Sequence, residues 1–227
     1  MRTIRTVLLV SVLGVLWIAP AYADQTSRLR NATEVLNELR NAPDNGIPED
    51  LWGKADCVAV IPSVKKAAFI IGGEYGKGVM SCRAGKGWTA PAFLELEKGS
   101  WGFQVGAQQI DLVLLFMNRR GVDKLLESKV ALGADASVAA GPIGRAAGAG
   151  TDAQMSAQIL SYSRAQGLFA GIDISGGVLR PDKDANSEIY HDANPRDILL
   201  GGKVATPAVA QDFIRALSRE FRATTGR

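Results

Sequence analysis

Apolar and polar residues follow a helical period at the two ends of the chain and a strand period between them. Residues 24–41 carry an apolar stripe at three- and four-residue spacing: Leu29, Ala32, Leu36 and Leu39. This spacing predicts an amphipathic helix that ends before Pro43. A similar stripe after Pro207 predicts a last helix that reaches about Phe221.

The segment between these helices alternates with a period of two, which predicts a sheet. The predicted strands cover residues 58–61, 67–73, 78–83, 88–96, 101–107 and 111–117, with a later hairpin over 157–163 and 168–174. A short helix is predicted at 122–128, and residues 181–204 are predicted to be irregular. Because the chain shows no linker and no repeat, residues 24–227 are predicted to form a single domain.

Closely spaced glycines raise the question of a phosphate-binding loop in the stretch IGGEYGKGVMSC, which holds Gly72, Gly73, Gly76 and Gly78. Such a loop needs a glycine five residues before its Gly-Lys pair and a Ser or Thr after it, but Ile71 and Gly78 stand there. We therefore predict no nucleotide site and interpret the glycines as bend and turn residues of a hairpin. Glycines inside the strand 101–107 also favour strong curvature. The predicted fold is α+β: a strongly curved, mainly antiparallel, glycine-rich sheet or partial barrel, flanked by N- and C-terminal helices.

Residues 1–23 have the order of a secretory signal peptide. Arg2 and Arg5 precede an apolar run of about a dozen residues, and Ala21 and Ala23 are the small residues that a signal peptidase recognises. The run is short for a membrane span, and an uncleaved anchor is the alternative. The protein is therefore predicted to be exported to the periplasm or secreted, with peripheral attachment to a membrane.

The charge balance gives no sign of a nucleic-acid partner. The whole chain has 26 Lys and Arg against 23 Asp and Glu, and removal of residues 1–23 leaves 24 against 23. A net charge of +1 without a block of like charge does not favour nucleic-acid binding. Any attraction to an anionic surface must come from a local patch.

Residue sets for catalysis or metal binding are not recognisable in the sequence. His191 is the single histidine, in a turn-like stretch, and cannot form a histidine-based metal cluster. No serine lies in a nucleophile elbow, and the cysteines lack metal-ligand spacing. A hydrolase with two converging carboxylates stays open, since a sequence does not show convergence. We predict no enzyme activity, no cofactor and no metal.

The two cysteines, Cys57 and Cys82, would reach a compartment where a disulfide persists. A meander of strands 58–61, 67–73 and 78–83 places them on either side of the middle strand, roughly 10 Å apart. That separation exceeds the reach of a disulfide. A bridge requires residues 57–61 to lie beside 78–83, and the sequence leaves both arrangements open.

Basic residues of the predicted helix and of the first strand connections are candidate lipid contacts. They are Arg28, Arg30, Lys65, Lys66, Lys77, Arg83 and Lys86. About four such residues near an anionic bilayer are enough to localise a protein. Helix 24–41 would then lie on the bilayer; the alternatives are a helix that caps the core and ordinary solvated lysines.

Four blocks in order carry a family resemblance: IPSVKKAAFIIGGEYGKGVMSCR, GKGWTAPAFLELEKGSWGFQVGAQQIDLVLLFM, LGADASVAAGPIGR and ILSYSRAQGLFAGIDISGGVL. They resemble the successive blocks of the SYLF-domain family over roughly residues 30–220. That family includes yeast and animal SH3-containing proteins of actin patches and phosphoinositide-rich membranes, and many exported bacterial proteins. His191 stands where the family more often has glycine.

The resemblance implies binding without catalysis. For an exported bacterial member, it implies contact with an anionic phospholipid of the cell envelope, through the N-terminal helix and the basic loops. The alternative is a structural or stress-related envelope protein that binds a protein partner through an exposed sheet edge.

Overall fold

The computed structural model of this 227-residue chain describes residues 20–41, 46–68, 71–101, 106–144, 154, 156–165 and 168–225. Only the backbone is described for residues 20–23, 66–68, 71–72, 100–101, 106–108 and 220–225. Residues 1–19, most of the predicted signal peptide, lie outside these ranges.

A single curled sheet holds the ten strands that the described residues form. They are β1 (Cys57–Ala68), β2 (Ile71–Ala84), β3 (Gly87–Trp88), β4 (Ala92–Trp101), β5 (Gly106–Phe116), β6 (Val130–Ala131), β7 (Val138–Ala140), β8 (Ile159–Ala165), β9 (Leu168–Gly171) and β10 (Gly177–Pro181). The order across the sheet is β6-β10-β4-β2-β1-β5-β8-β7, with β3 beside β2 and β9 beside β8. Only the β7–β8 pair of named strands is parallel. This half-barrel confirms the predicted α+β fold.

Helices cover the sheet and occupy both ends of the described chain. They are α1 (Pro20–Arg40), α2 (Glu49–Lys54), α3 (Arg119–Glu127), α4 (Lys183–Tyr190), α5 (Pro195–Leu199) and α6 (Gln211–Thr225), with a 3₁₀ turn (Ala208–Ala210) before the last. The predicted terminal helices are confirmed as α1 and α6.

The start of β1 lies at the centre of the protein, and both of its faces are buried. Val58 and Val60 pack in a cluster with α1, α2 and α6, whereas Ala59 and Ile61 pack in a second cluster with α3 and α5. Because each face of the strand meets a core, its sequence is continuously apolar instead of alternating.

The hairpin of β1 and β2 corrects the prediction of three short strands. Residues 57–68 and 71–84 form two long strands, so the predicted strands 67–73 and 78–83 belong to one hairpin. Cys57 lies directly opposite Cys82, and the two form a disulfide. Residues 57–61 therefore lie beside residues 78–83, which is the arrangement that a disulfide requires.

Gly76 and Gly78 lie inside β2 instead of in a turn. A β-bulge shifts the register of β1 between Val60 and Lys65. A Cβ atom at Gly78 would lie 2.4 Å from the backbone oxygen of Val60, and one at Gly76 would lie 2.7 Å from the Val64 side chain. These glycines therefore allow the bulged strand to approach β2 closely.

One further prediction is wrong, and another falls largely outside the described residues. Of the strand predicted at 101–107, Trp101 ends β4 and residues 106–107 begin β5, whereas residues 102–105 are not described. Residues 181–204, predicted to be irregular, contain α4 and α5. The side chain of Asp182 accepts a hydrogen bond from the Ala185 amide, and that of Asn194 accepts one from the Asp197 amide. Such N-caps stabilise helices that are too short to show a hydrophobic period.

Candidate functional site

A cleft of about 310 Å³ opens where α1 crosses the β1–β2 hairpin. We call it the α1 pocket. Its polar lining comes from two elements, with Ser27, Arg28 and Asn31 on α1 and Lys65, Tyr75 and Lys77 on the hairpin. The structure thus brings together three of the seven predicted lipid contacts: Arg28, Lys65 and Lys77.

Arg28 forms the floor of the α1 pocket and is only 4% exposed. Its Nη1 atom donates to Asp182 Oδ2 at 3.0 Å, and its guanidinium lies 5.3 Å from the centre of the Phe93 ring. Asp182 is also buried and is the N-cap of α4. This buried pair connects α1 to the segment that follows β10, so Arg28 holds the walls of the pocket in place.

Lys77 joins the same network from the strand side. Its Nζ atom lies 3.6 Å from Asp182 Oδ2 and 3.9 Å from Glu95 Oε1, and its side chain is 39% exposed. The lone pairs of Asp182 are therefore shared by Arg28, Lys77 and the Ala185 amide. Lys77 and Arg180, whose Nη2 lies 2.9 Å from Glu95 Oε2, are the cations of this network that also meet solvent.

Tyr75 and Lys65 form the outer wall of the α1 pocket. They lie opposite each other in the β1–β2 register, and both are exposed. The Tyr75 hydroxyl donates to Glu95 Oε1 at 3.1 Å. Burial, together with the nearby Glu95 carboxylate, raises the pKa of Tyr75 to about 12. Tyr75 is therefore a neutral hydrogen-bond donor throughout the physiological range.

Acidic residues keep the pocket from being uniformly positive. Asp182 and Glu95 are paired with cations, and Asp24 lies at the mouth, with its Oδ2 3.6 Å from Arg28 Nη2. The groups that face solvent are mainly the ammonium groups of Lys65 and Lys77, the amide of Asn31 and the carboxylate of Asp24, which is 56% exposed. This arrangement suits a single anionic group better than it suits proton transfer.

Arg83 has a structural role at the other end of β2. Its Nε donates to the Ala55 carbonyl at 2.7 Å, and its Nη2 donates to the Trp52 carbonyl at 2.5 Å. The guanidinium also lies 4.7 Å from the centre of the Trp88 ring. Burial lowers the pKa of Arg83. The side chain satisfies the carbonyls at the C-terminus of α2, as basic residues commonly do.

The other predicted contacts are dispersed. Lys86 is exposed in the turn after β2, about 30 Å along the strand from Tyr75. Arg30 faces a second groove of about 450 Å³ between α1 and α6, which also contains Glu34, Asp212 and Arg215. Lys66 lies on β1 opposite Glu74, and its side chain is outside the described residues. The six of the seven basic residues whose side chains are described therefore form no single patch.

The apolar face of α1 is part of the core. The four members of its apolar stripe, Leu29, Ala32, Leu36 and Leu39, are buried, and so is the neighbouring Val35. Exposing the four larger side chains, those of Leu29, Val35, Leu36 and Leu39, would cost about 8 kcal/mol at about 2 kcal/mol each. In this structure α1 is the helix that caps the core, and only its polar side is available to a surface.

Sequence reasoning missed the acidic partners of the pocket. Asp182 is 105 positions from Lys77 in the chain, so no local pattern relates them. The available signal was the Pro181-Asp182 pair before a polar segment, which is typical of a helix start. Among the described residues, no group of three or more His, Cys, Asp and Glu is placed to hold a metal ion. No helix in the described ranges has both the length and the apolarity needed to cross a bilayer.

Comparison with known families now identifies the fold's relatives. The family model of Ysc84, described as Las17-binding protein actin regulator, matches residues 97–220, from β4 to α6. The chain belongs to the Ysc84 family. This confirms the SYLF-domain resemblance of the sequence.

Individual relatives of the Ysc84 family match a longer part of the chain. SH3 domain-containing YSC84-like protein 1 of Rattus norvegicus is 33% identical over 207 residues, which cover 88% of this chain and 60% of the relative. Protein YSC84 of Saccharomyces cerevisiae is 33% identical over 186 residues, which cover 80% of this chain and 40% of the relative. The chain thus spans 60% or less of the length of these relatives.

Proposed function

We propose that this protein is a non-catalytic module of the bacterial cell envelope that binds anionic phospholipid at the α1 pocket. The observation that carries the proposal is the convergence of Arg28, Lys65 and Lys77 on one cleft. Lys65 and Lys77 make the solvent-facing contact, while Arg28 holds the cleft open through Asp182.

The expected interaction is weak and sensitive to salt. A basic residue near an anionic bilayer contributes about 1 kcal/mol, and the effect decays within a Debye length. Two or three cations at the α1 pocket would therefore give peripheral, reversible attachment. The family supports a binding function, since its description names a binding protein and an actin regulator.

Vesicle co-sedimentation of the purified protein tests this function. We expect binding to phosphatidylglycerol-containing vesicles at low salt, and weak binding to pure phosphatidylcholine. The double variant Lys65→Gln/Lys77→Gln should bind about tenfold more weakly, since it removes two charges worth about 1 kcal/mol each before screening. Lys86→Gln removes an equally basic residue from the far end of β2 and should bind like the wild type. Absence of wild-type pelleting at low salt would reject the function.

A protein partner is the alternative function, and an exposed edge strand favours it. Leu168 on β9 is 66% exposed, and β9 pairs with β8 on one side. The family description supports a protein partner, and here we propose one in the envelope. Recovery of one stoichiometric partner by the wild type, but not by Leu168→Asp, would support this alternative, particularly if vesicles have no effect.

Export to the envelope is part of the proposal. It is supported by the order of residues 1–23 and by the Cys57–Cys82 disulfide, since disulfides persist in oxidising compartments. Cell fractionation and N-terminal sequencing test it. We expect periplasmic or secreted protein that begins at Asp24, whereas a cytoplasmic chain that begins at Met1 would contradict it.

A further inference from the structure

Asp24 is the first residue on the face of α1 that lines the α1 pocket. This face consists of Asp24, Ser27, Arg28 and Asn31, whose spacing of three and four residues places them on one side of a helix. Ser27 Oγ donates to the Asp24 carbonyl at 2.8 Å, and Arg28 Nη2 lies 3.6 Å from Asp24 Oδ2. These contacts hold Asp24 at the mouth of the pocket.

Arg28 brings an unpaired donor into the α1 pocket. Its side chain is only 3% exposed, and its Nη2 atom has no hydrogen-bond partner among the described residues. Nη1 bonds to Asp182, whereas the 3.6 Å from Nη2 to Asp24 Oδ2 is too long for a hydrogen bond. Because a buried charged donor without an acceptor is costly, Nη2 favours a ligand that supplies an oxygen atom.

The charges around the α1 pocket are balanced in the chain as described. The charged side chains that line the pocket or join its ion pairs are the cations Arg28, Lys65, Lys77 and Arg180 and the carboxylates Asp24, Glu95, Glu97 and Asp182. Four charges of each sign leave no excess, so these side chains alone attract an anion only weakly. One further cation at the mouth would make the balance positive.

Removal of the predicted signal peptide would supply this cation. Cleavage after Ala23 converts the backbone amide of Asp24 into an α-ammonium group. Such groups have a reference pKa of about 7.7–8.0 and are therefore mainly charged at neutral pH. In this structure α1 runs through the cleavage point, since it covers Pro20–Arg40. After cleavage it would begin at Asp24, and the amides of its first turn would have no helical acceptor.

The new helix terminus would lie beside the unpaired donor. Arg28 is one turn from Asp24, which is about 6 Å along the helix axis, and helical side chains tilt toward the N-terminus. The 3.6 Å contact between the two side chains agrees with this direction. Lys65 and Lys77 face them across the pocket. Helix N-termini and arginine are common partners of phosphate, because several of its oxygens accept hydrogen bonds at once.

We infer that removal of residues 1–23 completes a phosphate site in the α1 pocket, in which the α-ammonium of Asp24 and Nη2 of Arg28 contact the same phosphate group. This inference rests on the proposed export and deepens the proposed lipid function, since it names the group that enters the pocket. The phosphate belongs to a lipid headgroup or is free in solution. The Asp24 carboxylate is the anion that it displaces from Arg28. The uncleaved chain therefore binds more weakly than the exported one.

Acetylation of the α-amino group tests the site with a minimal change. The exported protein, which begins at Asp24, is acetylated at mildly acidic pH, and mass spectrometry confirms that the lysines are unmodified. It should then bind phosphatidylglycerol-containing vesicles about fivefold more weakly, as expected for one charge near an anionic surface. Vesicle binding that acetylation leaves unchanged would overturn the inference and leave the lipid function intact.

The variant Asp24→Asn tests the competition for Arg28. It removes a carboxylate that is 56% exposed and keeps the α-ammonium, so it should bind the same vesicles about fivefold more tightly. Asp212→Asn, on α6, removes a carboxylate that is 74% exposed and lies outside the α1 pocket; it should bind like the wild type. Equal or weaker binding by Asp24→Asn would contradict a phosphate beside Asp24.

Inorganic phosphate distinguishes the two sources of the group. Calorimetric titration of the exported protein with phosphate should show binding that acetylation weakens, if the site accepts free phosphate. Acetylation-sensitive vesicle binding without phosphate binding would instead assign the group to a lipid headgroup. Acetylation-sensitive phosphate binding without vesicle pelleting would support the site but reject the lipid function. If neither phosphate nor vesicles bind, both the site and the lipid function are rejected.

Discussion

The β1–β2 hairpin has two ends that differ in nearly every physical property. At the end that holds Cys57 and Cys82, both sheet faces are buried and a disulfide joins the strands. At the opposite end, where Ala68 lies opposite Gly72, the same strands carry alanine, glycine and lysine, with Tyr75 exposed nearby. The register shift of the bulge lies between Val60 and Lys65 and separates the two ends. We call them the closed end and the open end.

This difference shows that one end of the hairpin contributes mainly to stability, whereas the other end carries the groups that are available to a ligand. Apolar burial and a covalent link concentrate the free energy of folding at the closed end, which has few groups left for a ligand. The open end adds little apolar burial that is visible in the described residues and keeps its charged groups near solvent. Surface recognition elements commonly lie on such weakly buried parts of a rigid scaffold.

Removal of the disulfide should give the largest change. The two cysteines are 25 positions apart, and a loop of that length corresponds to about 3.5 kcal/mol of unfolding free energy in the chain-entropy description. Denaturant unfolding with and without reductant measures the loss. The variant Cys57→Ala/Cys82→Ala should be insensitive to reductant. If the reduced and the oxidised wild type unfold at the same denaturant concentration, the disulfide does not contribute to the stability of the closed end.

A pair of glycine substitutions compares the two ends directly. Gly78→Ala places a methyl group against the Val60 carbonyl and the Ile61 backbone and should cost about 2–3 kcal/mol of unfolding free energy. In Gly73→Ala, at the open end, the added methyl group meets nothing closer than 3.7 Å. This variant should change the unfolding free energy by less than about 0.5 kcal/mol. Denaturant midpoints of both variants provide the measurement. Equal effects would mean that the bulge does not divide the hairpin as described.

Substitution of Arg83 tests whether its hydrogen bonds to the carbonyls of α2 stabilise the closed end. Arg83→Met leaves the Trp52 and Ala55 carbonyls without their donor and should lower the unfolding free energy by about 2 kcal/mol. Lys86→Met, in the exposed turn nearby, serves as the matched control and should change it by less than about 0.5 kcal/mol. Thermal unfolding followed by circular dichroism distinguishes them. A loss of vesicle binding in Arg83→Met at full stability would instead assign Arg83 to lipid contact.

Ionisation of Tyr75 should have the smallest effect on the unfolding free energy, and this effect should occur only at high pH. Its pKa rises from 10 to about 12 in the folded state, because burial and Glu95 favour the neutral phenol. The folded state therefore keeps its proton where the unfolded state has lost it. The stabilising contribution is complete below pH 10 and disappears as the pH rises through 12. Because Tyr75 is substantially exposed, this contribution should stay below about 1 kcal/mol.

Absorbance titration of the phenolates measures the Tyr75 pKa in the folded protein. Comparison of the wild type with Tyr75→Phe should isolate one transition near pH 12. A Tyr75 transition near pH 10 would show that the Glu95 contact is absent in solution.

Local sequence patterns predicted the parts of this protein that depend on near neighbours. The stripe of Leu29, Leu36 and Leu39 defines one face of α1 because helical spacing alone brings these residues together. Curvature of the sheet followed from glycines inside strands. The family followed from four blocks in order, and the family model now confirms it.

Long-range contacts decided the rest. The glycines of β2 looked like turn residues because sequence does not show the bulged strand that packs against Gly76 and Gly78. Because the boundaries of the strands 67–73 and 78–83 were therefore misplaced, the sequence left open whether Cys57 and Cys82 pair. Arg28 was predicted to be a surface charge, but it is buried because Asp182, 154 positions away, supplies the opposite charge.

By itself, the sequence determined an α+β chain with two covering helices, a curved sheet and an apolar strand at 57–61. Only the tertiary structure decided which charges pair inside, whether the two cysteines meet and which end of a hairpin stays open. The physical reason is that periodicity acts over a few residues, whereas ion pairing, disulfide geometry and burial depend on distances between atoms that the chain brings together from far apart.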